Sequence, residues 1–143
     1  MEHQLNCILV IDDDEPTNFF TQMILEECNC ARHIKVVQSG PEALAYLAKS
    51  EQAETQGDGY PSPDLIFLDI NMPAMNGWEF LEEYKKMDMA SRVIIVMLTT
   101  SLFPEDRLKA ESIQDISGFE NKPLTGEKIK SILAKYFKNV AAH

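Results

Sequence analysis

Residues that build disulfides and soft-metal sites are scarce in this sequence. Its 143 residues include three cysteines and three histidines. Cys7, Cys28 and Cys30 are odd in number and lack the paired spacing of a zinc site. We therefore predict reduced, structural thiols, as is usual in the cytosol. The three histidines are scattered along the chain, so we do not expect them to bind a metal ion together.

Long apolar runs and an excess of positive charge are also missing. The apolar run near the N-terminus is too short for a signal peptide or a membrane span. Thirteen lysines and arginines oppose 23 aspartates and glutamates, which gives a formal net charge of −10. Such a field repels nucleic acid and acidic membrane surfaces. We expect a cytoplasmic protein that binds neither nucleic acid nor membrane directly.

The length of the chain fits one domain that can bury a core without disulfides or metal. A hydrophobic share of 45% and a charged share of 25% are ordinary for a globular protein. Structured segments fill the chain from about residue 7 to residue 137. We therefore predict a single domain over residues 1–143, with this core and no output domain.

Short apolar runs alternate with segments of helical period along the chain. The predicted strands are 7–12, 34–38, 64–69, 92–98 and 117–121. The predicted helices are 16–28, 39–49, one that begins near Gly77, 104–113 and 125–137. This alternation is typical of an α/β fold with a parallel sheet. The segment 50–64 is rich in glycine, proline and polar residues, which predicts a long surface loop.

Local patterns add detail to these helices. The apolar face predicted for the first helix comprises Phe19, Phe20, Met23, Ile24 and Leu25. Ser39 and Glu42 have the spacing of a capping box, and Thr125 is predicted to cap the last helix. Asp14 and Glu15 favour the N-terminus of the first helix.

Polar residues end three of the predicted strands, where packing alone does not require them. The first strand ends in "DDDE" (12–15), the third in Asp69 and the fourth in "TTS" (99–101). Lys122 and Pro123 directly follow the fifth strand. In open parallel α/β sheets, sites form outside the carboxyl ends of the strands. We therefore expect these polar groups to converge at one edge of the sheet.

Clustered carboxylates repel one another, and burial increases the cost of their charge. A hard cation relieves that repulsion, and a set of oxygen ligands alone favours Mg²⁺. An aspartate carboxylate can attack phosphorus and carry an aspartyl-phosphate. Phosphoryl transfer needs mainly positioning and charge stabilisation, which a metal ion, a lysine and a hydroxyl group can supply. The cluster therefore favours phosphoryl-transfer chemistry.

Four motifs in this order resemble the receiver domain of two-component response regulators. They are "ILVIDDDEP", "DLIFLDINMPAMNGWEF", "VMLTTS" and "GFENKPL". The resemblance covers nearly the whole chain and implies a flavodoxin-like, doubly wound sheet of five parallel strands with (βα)5 topology. It also implies a chemotaxis-receiver-like protein with a single domain.

The same resemblance assigns roles to individual residues. Asp69 would be the phosphoacceptor, assisted by the Thr99 hydroxyl and the Lys122 ammonium. The implied Mg²⁺ ligands are Asp12, Asp13, Asp69 and the backbone carbonyl of Asn71. Thr99 and Phe119 would form the conformational switch, and the bond between Lys122 and Pro123 would be cis.

The function implied is a signalling switch and not an enzyme, apart from self-phosphorylation and slow autodephosphorylation. A sensor histidine kinase or a histidine phosphotransfer protein would donate the phosphoryl group to Asp69 with Mg²⁺ bound. The downstream protein target would bind the face formed by residues 104–137, and the protein would be a monomer or weak dimer.

Two alternatives stay open at this point. A haloacid-dehalogenase-like phosphatase also combines an aspartate nucleophile, a threonine or serine, a lysine and Mg²⁺. However, such enzymes usually carry an acid two positions after the nucleophile, and Asn71 cannot protonate a leaving group. A receiver-like module that binds partners without phosphorylation is the second alternative.

Overall fold

Five apolar segments pair side by side in one parallel sheet. The computed structural model describes residues 4–52, 59–87, 93–100 and 102–137. The strands are β1 (Leu5–Ile11), β2 (Ala31–Val37), β3 (Leu65–Leu68), β4 (Ile94–Thr99) and β5 (Gly118–Asn121). Their order across the sheet is β2-β1-β3-β4-β5, and every neighbouring pair is parallel. The chain passes from β1 to β2 at one edge of the sheet and then returns to place β3 on the other side of β1. The strand order therefore reverses next to β1.

Five helices connect the strands and cover the sheet. They are α1 (Glu15–Cys28), α2 (Gly40–Ser50), α3 (Gly77–Lys86), α4 (Pro104–Ser112) and α5 (Gly126–Tyr136). Strand and helix alternate throughout, so the predicted flavodoxin-like (βα)5 architecture is confirmed. Boundaries differ from the predictions by a few residues, most at β2, which begins at Ala31. Arg92, the predicted start of β4, lies outside the described residues.

Two apolar clusters lie on opposite faces of the sheet because successive strand side chains alternate in direction. One cluster includes Ile11, Ile66 and Phe80, and the other includes Val10, Phe67 and Ile132. Both faces of β3 are completely buried, which explains its uninterrupted apolar sequence. These two cores hold the carboxyl ends of the central strands in fixed positions.

Side-chain capping bonds start four of the five helices. Asp14, Ser39, Asn76 and Thr125 each accept a hydrogen bond from a backbone N–H in the first turn. The predicted caps at Ser39 and Thr125 are confirmed. The Glu42 carboxylate, however, accepts from the Gln38 N–H and not from the N–H of Ser39. Helix α4 has no side-chain cap, since Phe103 stands at its N-cap position.

The prediction for the inner face of α1 is wrong for its largest side chains. Phe19, Phe20 and Met23 are exposed, whereas the residues that this helix buries are Asn18, Thr21, Leu25 and Cys28. The buried set has the spacing of one helical face, so the geometry is regular. The apolar side chains adjacent in sequence lie on the other side of the helix. An exposed apolar surface of this kind calls for an explanation, since a buried position would stabilise the fold more.

The long loop after α2 is anchored where the structure describes it. The Tyr46 hydroxyl donates to the Pro61 carbonyl at 2.7 Å, and the Ser62 hydroxyl donates to the Ser50 carbonyl at 3.0 Å. Residues 53–58 of this predicted loop lie outside the described residues.

The three cysteines are free and buried, in agreement with the predicted structural role. Burial raises the pKa of Cys7 and Cys30 to about 11, so these thiols are protonated at neutral pH. Within the described residues, no helix combines the length and apolar character needed to cross a bilayer.

Candidate functional site

Three strand ends bring polar side chains together at the carboxyl edge of the sheet. Asp12 follows β1, Asp69 follows β3 and Thr99 ends β4, and all three are buried. Main-chain bonds fix their positions: the Asp69 N–H donates to the Ile11 carbonyl at 2.9 Å. The Lys122 N–H donates to the Thr99 carbonyl at 2.7 Å. The predicted convergence of these residues is therefore present in the fold.

Lys122 joins the acidic groups at this edge. Its ammonium lies 2.5 Å from an Asp12 carboxylate oxygen and 3.4 Å from an Asp69 carboxylate oxygen. Burial lowers the pKa of Lys122, but the hydrogen bond to Asp12 and the charge of Asp69 outweigh burial, so the pKa is raised. Lys122 therefore stays charged, and its positive charge is placed directly beside the Asp69 carboxylate.

Asp69 is the acid whose protonation is most perturbed by this arrangement. Burial and the neighbouring charge of Asp12 raise the pKa of Asp69 to about 6, against the lowering effect of Lys122. A backbone hydrogen bond from Asn71 also favours the charged form. At pH 7 the carboxylate is thus ionised, yet its charge is poorly solvated, which makes it a competent oxygen nucleophile and a ligand for a cation.

The donor set fits a hard divalent cation. Carboxylate oxygens of Asp12, Asp13 and Asp69 all lie within 4.8 Å of one another. Asp13 is exposed, so one side of the cluster is open to solvent. Oxygen donors of this kind, with an open side for water, suit Mg²⁺ or Mn²⁺. The role of the Asn71 backbone carbonyl as a further metal ligand stays a prediction.

Asn18 is a site residue that the sequence analysis missed. Its side-chain amide donates to the Asp12 carbonyl at 2.8 Å, and the Asp12 carboxylate accepts from the Asp14 N–H at 2.9 Å. Asn18 is buried, and its side-chain oxygen has no hydrogen-bond partner among the described residues. Asn18 stands three and seven residues before Thr21 and Leu25, which is the spacing of one helical face, but the polar side chains of Asn18 and Thr21 give no sequence signal that this face is buried.

The loop between β3 and α3 depends on one close approach. A methyl group at Gly77 would lie 2.7 Å from the Asp69 carbonyl and 3.1 Å from the Ile70 Cα. The Gly77 N–H donates to the Ile70 carbonyl at 2.8 Å. Asn76 and Glu79 form a reciprocal capping box at the start of α3, which the sequence analysis did not predict. This loop therefore holds Asp69 from its C-terminal side.

The predicted switch residues lie on neighbouring strands. Phe119 in β5 pairs with Met97 in β4, and Met97 lies two residues before Thr99 on the same strand. Its ring is half-buried and packs against the core on one face of the sheet. The peptide bond between Lys122 and Pro123 is cis, as the resemblance implied. Ser101, the last residue of the "TTS" motif, lies outside the described residues.

The response regulator receiver domain matches this chain over residues 8–134. The chain belongs to this family. A solved two-component response regulator from Cytophaga hutchinsonii has a TM-score of 0.80 to this receiver domain, with 31% identity over 93% of this chain and 97% of that chain. The family match excludes the haloacid-dehalogenase-like phosphatase considered above.

Curated relatives match this receiver domain over only part of their own length. Hybrid signal transduction histidine kinase L of Dictyostelium discoideum is 35% identical over 94% of this chain but over 7% of its own length. Response regulator Rcp1 of Synechocystis is 30% identical over 69% of this chain and 65% of its own length. The chain thus spans less than two thirds of these relatives.

Proposed function

We propose that this receiver domain is a phosphorylation-dependent signalling switch with Asp69 as its phosphoacceptor. The observation that carries the proposal is the pairing of a buried, ionised Asp69 with the Lys122 ammonium beside an open acidic cluster. Thr99 is the hydroxyl group proposed to bind the phosphoryl oxygens, and Phe119 the aromatic residue that follows its movement. A histidine kinase or a histidine phosphotransfer protein is the proposed donor.

The proposed chemistry is a single displacement at phosphorus. An Asp69 oxygen forms the new O–P bond while the N–P bond of a phosphohistidine breaks, and the imidazole leaves with the electron pair. Lys122 balances the negative charge on the phosphoryl oxygens, and its pairing with Asp12 orients it for that task. Without metal the pKa of Asp69 is about 6, and a bound cation would lower that pKa because it favours the ionised carboxylate that attacks phosphorus.

Asp12, Asp13 and Asp69 would hold the divalent ion, together with the Asn71 carbonyl. When bound, the ion supplies the positive charge that offsets three carboxylates and an incoming phosphoryl group. Support comes from the close spacing of the three carboxylates. The raised pKa of Asp69 adds to it, because burial and the charge of Asp12 both disfavour the ionised carboxylate and a cation would relieve both effects. The relative Rcp1 has been solved in a Mn²⁺-bound form.

The exposed apolar side chains of α1 support a protein donor over a small molecule. Phe19 is 74% exposed and Met23 is 41% exposed. Phe20 lines a groove of about 380 Å³ together with Thr100 and residues 122–124, so the groove borders Lys122. A protein that covered this surface would bury apolar area and bring its phosphohistidine to the edge of the sheet.

The proposed output surface is the face formed by residues 104–137. Leu102, Phe103 and Leu108 are exposed at the start and on the outer side of α4. Scattered exposed apolar residues are ordinary, but three close in sequence can contribute an apolar centre to a partner interface. Movement of Thr99 at the end of β4, or of Phe119 within β5, would alter this face because α4 follows β4 in the chain and packs against β5.

Incubation with acetyl phosphate and Mg²⁺, followed by intact mass measurement, tests the proposal. We expect one added phosphoryl group in the native chain and none after Asp69→Asn or after removal of the metal with a chelator. Asp64→Asn is the matched control, because Asp64 precedes the same strand at its other end and its carboxylate accepts from the Asn6 N–H. That variant should still form the adduct.

An adduct that persists in Asp69→Asn would show that another residue is the phosphoacceptor. Failure of the native chain to form any adduct, either from acetyl phosphate or from a phosphorylated histidine-containing donor domain, would support a receiver-like module that works without phosphorylation.

A further inference from the structure

Helix α4 is held to the domain by little apolar burial. Among its nine residues, Pro104–Ser112, only Ala110 is buried. Leu108 is 65% exposed, and the N-terminus of the helix has no side-chain cap. Each of the other four helices buries at least three residues and is capped by a side chain. Other contacts must therefore set the position of α4.

Two cations of α4 lie over aromatic rings of its neighbours. The Arg107 guanidinium carbon is 4.9 Å from the centroid of the Phe119 ring in β5. The Lys109 ammonium is 4.6 Å from the centroid of the Trp78 ring in α3. Residues two apart in a helix point in nearly opposite directions. Arg107 and Lys109 therefore bridge α4 to the sheet on one side and to α3 on the other.

We propose that Arg107 is a positioning residue that holds Phe119 in its half-buried place and thereby opposes phosphorylation of Asp69. This inference rests on the proposed function, to which it adds that Phe119 turns inward, away from α4, when Thr99 binds the phosphoryl group. Arg107 contacts the ring where the ring now lies, on the side of β5 that faces α4. Inward rotation would take the ring away from the guanidinium and lose that attraction.

The size of the effect follows from the strength of such a contact. Cation–π attraction at a partly exposed site is modest, which corresponds to a change of about two- to five-fold in an equilibrium constant. If the phosphoryl donor reacts only with the arrangement in which Phe119 has turned inward, the reaction is reduced by the fraction of molecules that adopt that arrangement. Removal of the guanidinium should therefore raise the rate of phosphorylation by about two- to five-fold.

Three variants of the full chain separate this role from a simple loss of charge. Arg107→Ala removes the cation, Arg107→Lys retains a cation at the same place, and Arg32→Ala removes an arginine from β2 at the opposite edge of the sheet. The rate of adduct formation from acetyl phosphate with Mg²⁺ is measured by intact mass. We expect Arg107→Ala to react about two- to five-fold faster than the native chain, with Arg107→Lys and Arg32→Ala close to the native rate.

General electrostatics predicts the opposite sign, because acetyl phosphate is an anion and loss of a positive charge should slow its approach. Trp78, the single tryptophan of the chain, provides a second readout through its contact with Lys109. Without any donor, the fluorescence of Arg107→Ala should shift toward that of the phosphorylated native chain.

Equal or slower phosphorylation of Arg107→Ala, with an unshifted Trp78 signal, would overturn the role of Arg107 while the proposed function stands. A rate for Arg107→Lys as high as that of Arg107→Ala would also overturn it, since the cation would then have no part. If the native chain forms no adduct at all, both proposals are wrong.

Discussion

Helices α1 and α4 both follow strands that end at the candidate site, yet they are held in opposite ways. Helix α1 is capped by Asp14, and its inner face buries Asn18, Thr21 and Leu25. Helix α4 lacks a cap and buries Ala110 alone. The acids that follow β1 are thereby fixed, whereas the element beyond Thr99 can move at small cost. The receiver domain thus combines rigid positioning of its charged groups with a loosely held helix on the proposed output face.

Hydrogen exchange provides the most direct test of this difference. We expect the amide protons of α4 to exchange about 100-fold faster than those on the inner side of α1, because local stability follows burial and capping. Exchange monitored by mass spectrometry or NMR at neutral pH measures both helices in one molecule. Helix α5, which is capped by Thr125 and buries Ile129, is the internal control and should resemble α1. Equal protection of α1 and α4 would contradict the comparison.

A methyl group added at Gly77 tests how rigid the edge around Asp69 is. Gly77→Ala should lower the free energy of unfolding by about 2 kcal/mol, since the added carbon would lie 2.7 Å from the Asp69 carbonyl and the backbone must shift. Denaturant unfolding measures the loss. Gly126→Ala is the matched control, because nothing lies within 4 Å of a methyl group there and α5 gains a better helix former. A loss of stability equal in the two variants would show that the edge adapts readily.

The charge of Asp69 should destabilise the metal-free fold. Unfolded aspartate titrates near pH 4, while the pKa of Asp69 in the folded chain is about 6. Between these values the folded chain binds more protons than the unfolded chain, so the free energy of unfolding falls as pH rises. We expect Asp69→Asn to be more stable than the native chain by about 1 to 2 kcal/mol at pH 7 and no more stable at pH 4.

Thermal unfolding of both proteins across this pH range, with and without Mg²⁺, tests that expectation. Addition of Mg²⁺ should stabilise the native chain more than Asp69→Asn, because the native chain offers one more carboxylate. A native chain that is the more stable of the two at pH 7 without metal would show that Lys122 compensates the charge completely.

The fold and the charged site could be predicted because their signals are local or repeated. The alternation of strand and helix periods predicted five strand–helix units with a parallel sheet, and the motif resemblance added the flavodoxin-like (βα)5 topology. The rule that parallel strands end at one edge brought Asp12, Asp69 and Lys122 together. The roles of Thr99 and Phe119 came from motif resemblance, and they stay proposals until phosphorylation is measured.

The inner face of α1 could not be predicted from apolar content. Phe19, Phe20 and Met23 form an apolar cluster in sequence, but a helix buries the side that faces the sheet, and here that side carries Asn18 and Thr21. The contact between Arg107 and Phe119 joins residues from different elements. No periodicity in a single sequence predicts such a pair, because it depends on how α4 lies against β5.

The loop after Asp69 also contains a backbone feature that its sequence does not predict. Ala74 has a φ of 67°, the left-handed conformation that favours glycine, although an alanine gives no signal for it. Ala74→Gly should therefore raise the free energy of unfolding by about 0.5 kcal/mol, since relief of strain exceeds the added freedom of the unfolded chain. Ala48→Gly makes the same substitution at an exposed position inside α2 and should lower it by about 1 kcal/mol. Opposite signs in denaturant unfolding would place strain at the loop that supports Asp69, whereas a loss in both variants would mean that Ala74 is unstrained.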